Sequence, residues 1–128
     1  MKRRIRISTK AYKEPLETFA MWDDSESVLS IRWKEDHEGQ TALYDLSFDK
    51  ASGIASINRS GDIKSVMTFD TSRKTVSQFH TPYGTIEMGI TTEYIKIPSL
   101  LERAFEISYE IEGGAEELQK NIFTITLI

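Results

Sequence analysis

The chain has 128 residues, of which 39% are hydrophobic and 28% charged, and its formal net charge is −4. This balance is typical of one soluble globular domain and excludes a disordered chain. Because the sequence contains no cysteine, disulfide bonds, thiolate metal sites and cysteine nucleophiles are also excluded.

The N-terminal stretch is strongly basic. Residues 1–13 hold six Lys or Arg and no acid, whereas the other 115 residues hold 10 basic and 20 acidic side chains. No apolar segment follows, and no run approaches the roughly 20 residues that cross a bilayer, so we expect a cytoplasmic protein with no membrane partner. The basic stretch is either a strip for nucleic acid or phosphate, or a solvated strand face offset by acidic neighbours. The acidic body favours the second interpretation, so nucleic acid is not expected as a partner.

Apolar and polar residues alternate with a period of two along most of the chain, which predicts strands with one buried face. Leu29, Ile31 and Trp33, for example, share the apolar face of residues 28–34. Clusters of Gly, Pro, Asp and Ser separate the runs at short intervals. Ten strands are predicted in chain order, at residues 3–13, 17–22, 28–34, 41–49, 54–59, 63–70, 74–80, 85–97, 104–112 and 120–128.

Two short segments interrupt the alternation. In residues 98–103, Ser99 and Glu102 have the spacing of a helical capping box, which predicts a single helical turn. A second helical turn is predicted at residues 115–119. Both segments are too short to form a domain by themselves.

Connections this short favour antiparallel neighbours, and an all-β chain must hide the edges of its sheet. A meander without a long crossover favours closure into a barrel over a two-layer sandwich. We therefore predict a single closed antiparallel up-and-down β-barrel of about eight to ten strands. A barrel of this size has room for a packed core or for one small ligand.

Several short motifs are similar to those of one family. They are Asn58-Arg59-Ser60-Gly61, a strand ending in Phe69, Phe79-His80-Thr81-Pro82-Tyr83-Gly84, the strand with Thr91 and Thr92, and Ile107-Ser108-Tyr109 before a last strand containing Asn121. Together they resemble the YwiB-like family of small bacterial proteins over nearly the whole chain. The resemblance implies a calycin-type barrel, similar to the lipocalins and fatty-acid-binding proteins. It implies no activity and supplies no catalytic residue.

Arg59 is the first candidate for a binding residue. It follows Ala55 and Ile57 on the more apolar face of its strand, so its guanidinium is predicted to point inward, where an unpaired charge is costly. One interpretation is a clamp for the carboxylate or phosphate of a ligand, which suits the planar guanidinium. The other is an internal ion pair, with Glu93 or Glu87, that fastens the hairpin of the fifth and sixth strands.

The Thr81-Pro82-Tyr83-Gly84 segment has the residues of a tight turn, since Pro82 fixes φ and Gly84 accepts a positive φ. Tyr83 would then either overhang the barrel mouth beside His80, or pack as a lid on the core. The direction of His80 is ambiguous, because neither face of residues 74–80 is clearly the more apolar.

We expect a non-catalytic protein that binds a small, anionic or amphipathic ligand inside the barrel. The ligand-binding residues would be Arg59, His80, Tyr83, Thr92 and Tyr109. The alternative is a protein-interaction or self-association module, for instance a homodimer, with a packed interior. An enzyme that uses His80 and Glu93 is the least favoured hypothesis, and no catalytic residue, metal or cofactor is expected.

Overall fold

The computed structural model describes residues 1–113 and 116–128, and these residues form ten β-strands without a helix. It follows that no helix in this part of the chain could span a membrane. The strands are β1 Lys2–Ser8, β2 Leu16–Asp24, β3 Val28–His37, β4 Gln40–Asp49, β5 Ile54–Ser60, β6 Lys64–Phe69, β7 Thr75–Thr81, β8 Gly84–Lys96, β9 Ala104–Gly113 and β10 Glu116–Leu127.

The strands form a single closed antiparallel up-and-down barrel. Each strand pairs with its neighbours in the chain, and β1 also pairs with β10, which closes the sheet. In this closing ladder Ile5 lies opposite Leu127 and Ile7 opposite Ile125. The predicted fold class is therefore confirmed, and the closure removes the free strand edges that the sequence had to hide.

Period-two alternation separates an inner from an outer face as predicted. The apolar side chains of the inner face form one contiguous core that includes Ile5, Ile7, Leu29, Ile31, Trp33, Leu46, Phe69, Phe105, Ile107 and Ile125. On β7, Thr75 and Ser77 are buried in the interior while Val76 and His80 are exposed. This settles the ambiguity of that strand, whose Phe79 face turns inward.

The odd-numbered strands all run in one direction, so their last residues lie at the same end of the barrel, which we call the upper end. The connections at the upper end are residues 9–15, 38–39, 61–63 and 82–83, together with the link between β9 and β10. Residues 114 and 115 of that link lie outside the described residues.

The first strand is shorter than predicted, because it ends at Ser8 and not at residue 13. The chain turns at Thr9, whose carbonyl accepts a hydrogen bond from the amide of Tyr12 at 3.1 Å. The amide of Lys10 donates to Asn121 Oδ1 at 2.9 Å. The segment 9–15 is therefore a loop that bends over the upper end.

Neither predicted helical turn is correct for the residues that the structure describes. Residues 116–119 belong to β10, where Gln119 lies opposite Ile111, so the inter-strand ladder takes their backbone groups. At residues 98–103 the amide of Glu102 does donate to Ser99 Oγ, at 3.0 Å, but the segment is a loop. Leu100 and Leu101 are fully exposed there, so a helical turn would have no apolar face to bury.

Candidate functional site

Arg59 lies at the upper end, one residue before the end of β5, with its side chain three-quarters buried at 25% exposure. Its guanidinium lies over the ring of Tyr44, 5.5 Å from the ring centroid. The nearest carboxylate oxygen is Asp62 Oδ1, at the long distance of 3.5 Å. Arg59 Nε is buried and has no hydrogen-bond partner among the described residues. The charge of Arg59 is therefore incompletely satisfied.

An aromatic wall leads from Arg59 around the inner face. Trp33, Tyr44 and Arg59 are direct cross-strand neighbours on β3, β4 and β5. The rings of Trp33 and Tyr44 stack with centroids 5.2 Å apart and planes 4° from parallel. Phe123 of β10 faces Trp33 at 6.3 Å. The cationic guanidinium of Arg59 therefore lies beside a flat apolar surface made of aromatic rings.

Glu35 is the main residue of the site that the sequence did not indicate. Its side chain is only 1% exposed, and its carboxylate accepts hydrogen bonds from Trp33 Nε1 at 2.8 Å and from the hydroxyl of Tyr12. His37 Nε2 lies 3.0 Å from its Oε1. The alternation of Leu29, Ile31 and Trp33 extends to this position, and it was the only signal that could have found it.

Two tyrosines at the upper end, Tyr12 and Tyr44, have raised pKa values. Burial, the hydrogen bond to Glu35 and the negative charge of that carboxylate raise the pKa of Tyr12 far above its ordinary value of 10.0. Burial and the charge of Glu35 also raise the pKa of Tyr44, and Arg59 opposes this rise. Both tyrosines are therefore neutral hydroxyl groups at physiological pH. We call Tyr12, Glu35, His37, Tyr44 and Arg59 the upper-end cluster.

Tyr109 and Thr92, both predicted as binding residues, are buried side by side. They are register partners on β9 and β8. Tyr109 accepts a hydrogen bond from Asn121 Nδ2 at 2.8 Å, packs against Phe69, and has its pKa raised by burial. Thr92 Oγ1 has no hydrogen-bond partner among the described residues, and neither has Ser77 Oγ on β7. These two hydroxyl groups line the inner wall of the barrel below the upper-end cluster.

The remaining predicted binding residues do not line the interior. His80 faces outward from β7, where its Nδ1 lies 3.0 Å from Thr85 Oγ1. Tyr83 is fully exposed in the turn after β7, so it neither packs as a lid nor contacts the cluster. His80 faces outward because the register of β7 turns the face of Thr75 and Ser77 inward, and Tyr83 lies outside the strands, in the turn between β7 and β8.

Neither predicted partner of Arg59 is correct. Glu87 is exposed and lies opposite Gln78 of β7. Glu93 pairs instead with Lys120 at 3.0 Å and accepts a hydrogen bond from Ser108 Oγ at 3.2 Å. Thr92 is buried in the interior, so alternation along β8 places its neighbour Glu93, which is 57% exposed, on the outer face. The carboxylate near Arg59 is thus the sequence-local Asp62 of its own hairpin.

The core side chains of the described residues pack against one another in the middle of the barrel. The polar groups that could meet a ligand are therefore concentrated at the upper end. Among residues 1–113 and 116–128, no cluster of three or more His, Asp or Glu could hold a metal ion.

These features define a small all-β barrel with a polar, aromatic upper end. A family model described as a domain of unknown function, DUF1934, matches residues 5–125, and the chain belongs to that family. The crystal structure of the ywiB protein from Bacillus subtilis is similar, with a TM-score of 0.65 and 19% sequence identity. That match covers 99% of this chain and 89% of the other, and it supports the same fold. Among curated proteins, none matches this chain.

Proposed function

We propose that the protein is a non-catalytic binding protein for a small anionic or amphipathic molecule, held at the upper end of the barrel with Arg59 as its anchor. The observation that supports this most strongly is Arg59 Nε, a buried donor without an acceptor among the described residues. A carboxylate or phosphate would supply that acceptor and offset the charge.

The neighbouring Glu35 does not compete for this role. Its carboxylate already has hydrogen-bond donors in Trp33 and Tyr12, with His37 close by. Among the described residues, the only carboxylate that Arg59 contacts is that of Asp62, at 3.5 Å. An incoming anion therefore meets an unsatisfied cation beside a carboxylate that is already satisfied.

The apolar part of the ligand would lie on the wall formed by Trp33 and Tyr44. Aromatic faces of this kind are common in small-molecule sites, where a few polar groups fix the orientation of the ligand. Thr92 and Tyr109 would contribute only if a polar end of the ligand reached below the cluster. Because apolar side chains form the core, the bound molecule would lie at the upper end.

Native mass spectrometry with dodecanoate as the probe, and with dodecanol as its uncharged counterpart, tests the proposal. We expect the native protein to retain dodecanoate but not dodecanol. Arg59→Ala should abolish retention, while Arg103→Ala, which removes an exposed arginine, should leave it unchanged.

Asp62→Ala separates a ligand anchor from a purely structural ion pair. If Arg59 anchors an anion, removal of Asp62 leaves the guanidinium free and dodecanoate binding is kept or strengthened. If Arg59 only fastens the hairpin, the Arg59→Ala and Asp62→Ala proteins lose the same stability and dodecanoate binds to neither of them nor to the native protein. That second result would refute the proposed function.

A further inference from the structure

A shallow trough of about 730 Å³ lies on the outside of the barrel, across β2, β3, β4 and β5, with Lys2 of β1 at its margin. Exposed side chains that point outward from the strands line it, such as Phe19, Met21 and Leu43, and they place it on the outer face. All residues that line it come from β1 to β5. We call this surface the outer trough.

Three large apolar side chains of the outer trough, two on β2 and one on β4, are exposed. Phe19 is 57% exposed, Met21 42% and Leu43 51%. Such a group of large apolar side chains on an outer sheet face is typical of an interaction surface. Trp33, Tyr44 and Arg59 also line the outer trough. Because side chains alternate along a strand, theirs point to the inner face of the sheet, whereas those of Phe19, Met21 and Leu43 point outward.

Each of these apolar side chains has a cation directly opposite it on a neighbouring strand. Met21 lies between Lys2 and Arg32. Phe19 lies opposite Arg4, and its ring also carries the ammonium of Lys2 at 4.7 Å. Leu43 lies opposite Lys34. Apolar and cationic side chains therefore alternate across the trough.

The charge of the trough is positive, although the chain as a whole carries −4. Four cationic residues line it, namely Lys2, Arg32, Lys34 and Arg59, against the single carboxylate of Asp45, which lies opposite Arg32. Arg32 makes only a 3.6 Å contact with Asp23, both side chains being about half exposed, and Lys34 has no salt bridge among the described residues. These cations remain available to a partner.

We infer that the outer trough docks an acidic, amphipathic segment of a partner protein in an extended conformation. An extended segment that alternates apolar and acidic residues matches the alternation of the trough and complements its charge. Two troughs facing each other would place cations against cations, so a symmetric contact between copies through this surface is disfavoured.

The probe for this inference is a fluorescein-labelled nonapeptide that alternates Glu and Leu, and its matched control has Lys in place of Glu. We expect fluorescence anisotropy to show binding of the Glu peptide alone, weakening as salt is added. Lys34→Glu and Leu43→Ser should each weaken binding about tenfold. The matched controls Lys64→Glu and Val76→Ser, which change exposed side chains on β6 and β7, should leave it unchanged.

Equal binding of the Lys peptide, or equal loss in the two control variants, would overturn the inference. So would light scattering that shows a dimer lost on Leu43→Ser, because the occupant would then be a second copy. The test is independent of the proposed function. Lys34→Glu, which changes an outward side chain, should leave dodecanoate binding intact.

Discussion

Arg59 and Glu35 carry opposite charges at the same end of the barrel, and their surroundings satisfy those charges to different degrees. Glu35 is almost fully buried and has donors from Tyr12 and Trp33. Arg59 is partly exposed, stacks on Tyr44 and leaves its Nε unpaired. A buried carboxylate with several donors is a structural group, whereas the incompletely satisfied guanidinium of Arg59 is the group that we propose as the anchor for a ligand.

The raised tyrosine pKa values predict how stability depends on alkaline pH. Burial raises the pKa of Tyr12, Tyr44 and Tyr109 in the folded state, whereas in the unfolded chain tyrosine ionises near pH 10. As the pH rises through about 10, the unfolded chain loses these protons first and becomes favoured. The free energy of unfolding should therefore be unaffected by these groups below about pH 9 and should fall above about pH 10.

Urea denaturation followed by circular dichroism at mildly and strongly alkaline pH measures this fall. Tyr44→Phe should reduce it, because one of the three buried hydroxyls is removed. Tyr83→Phe, at a fully exposed side chain, should leave it unchanged. A stability that is flat across the alkaline range would contradict the burial of these hydroxyls.

At the scale of single elements, the turns fix where the strands reverse, and Gly61 in the β5–β6 turn is the most constrained of them. Its φ is +138°, and a Cβ at this position would lie 3.0 Å from the carbonyl oxygen of Thr41 on β4. Gly53, in the β4–β5 turn, also has a positive φ of +74° but has open space around it. A comparison of substitutions at the two glycines therefore separates the cost of backbone strain from the cost of a close approach to β4.

Gly61→Ala should lower the free energy of unfolding by about 2–3 kcal/mol, since strain and a backbone contact add. Gly53→Ala should cost about 1 kcal/mol, from the left-handed backbone alone. Equilibrium urea denaturation of the two variants gives both values. Equal losses would show that the close approach of Gly61 to β4 contributes nothing.

The loop of residues 9–15 shows why some of the site could not be read from the sequence. The alternation in the sequence continues past Ser8. The loop, however, makes its hydrogen bonds with Asn121 and Glu35, which are distant in the chain. Local pattern carries no information about such contacts. Two other misses have a different origin, because the burial of Glu35 continues the alternation of its own strand and the contact of Arg59 with Asp62 is local in the chain.

The faces of the strands, in contrast, were predictable wherever one face was clearly apolar. Leu29, Ile31 and Trp33 all lie in the core. The pattern failed on β7, where Ser77 is buried while Val76 is 63% exposed. The position of β7 in the closed barrel decides which of its faces turns inward. Residue propensity does not predict that a serine will be the buried residue.

At the scale of the whole molecule, closure by β1 and β10 creates the interior. Ile125 of β10 is fully buried opposite Ile7, whereas Ile122 on the same strand is 46% exposed on the outer face. The two residues are both isoleucines on the same strand but lie in opposite environments. They therefore form a matched pair for testing closure.

Ile125→Ala should lower the free energy of unfolding by about 3 kcal/mol, from lost burial and the cavity left behind. Ile122→Ala should cost less than about 1 kcal/mol. Urea denaturation measures both. An equal cost for the two variants would mean that β10 does not turn one face into a shared core.

The resonance of the Arg59 Nε–H group tests the central claim most directly, because that group is the unpaired donor on which the binding site rests. In a ¹⁵N–¹H spectrum of the labelled protein, assigned through its loss in Arg59→Lys, this resonance should shift progressively as dodecanoate is added. The amides of Phe19 and Leu43 in the outer trough should not move. A resonance that stays fixed while dodecanoate binds, or shifts confined to the outer trough, would contradict the assignment of Arg59 as the ligand anchor.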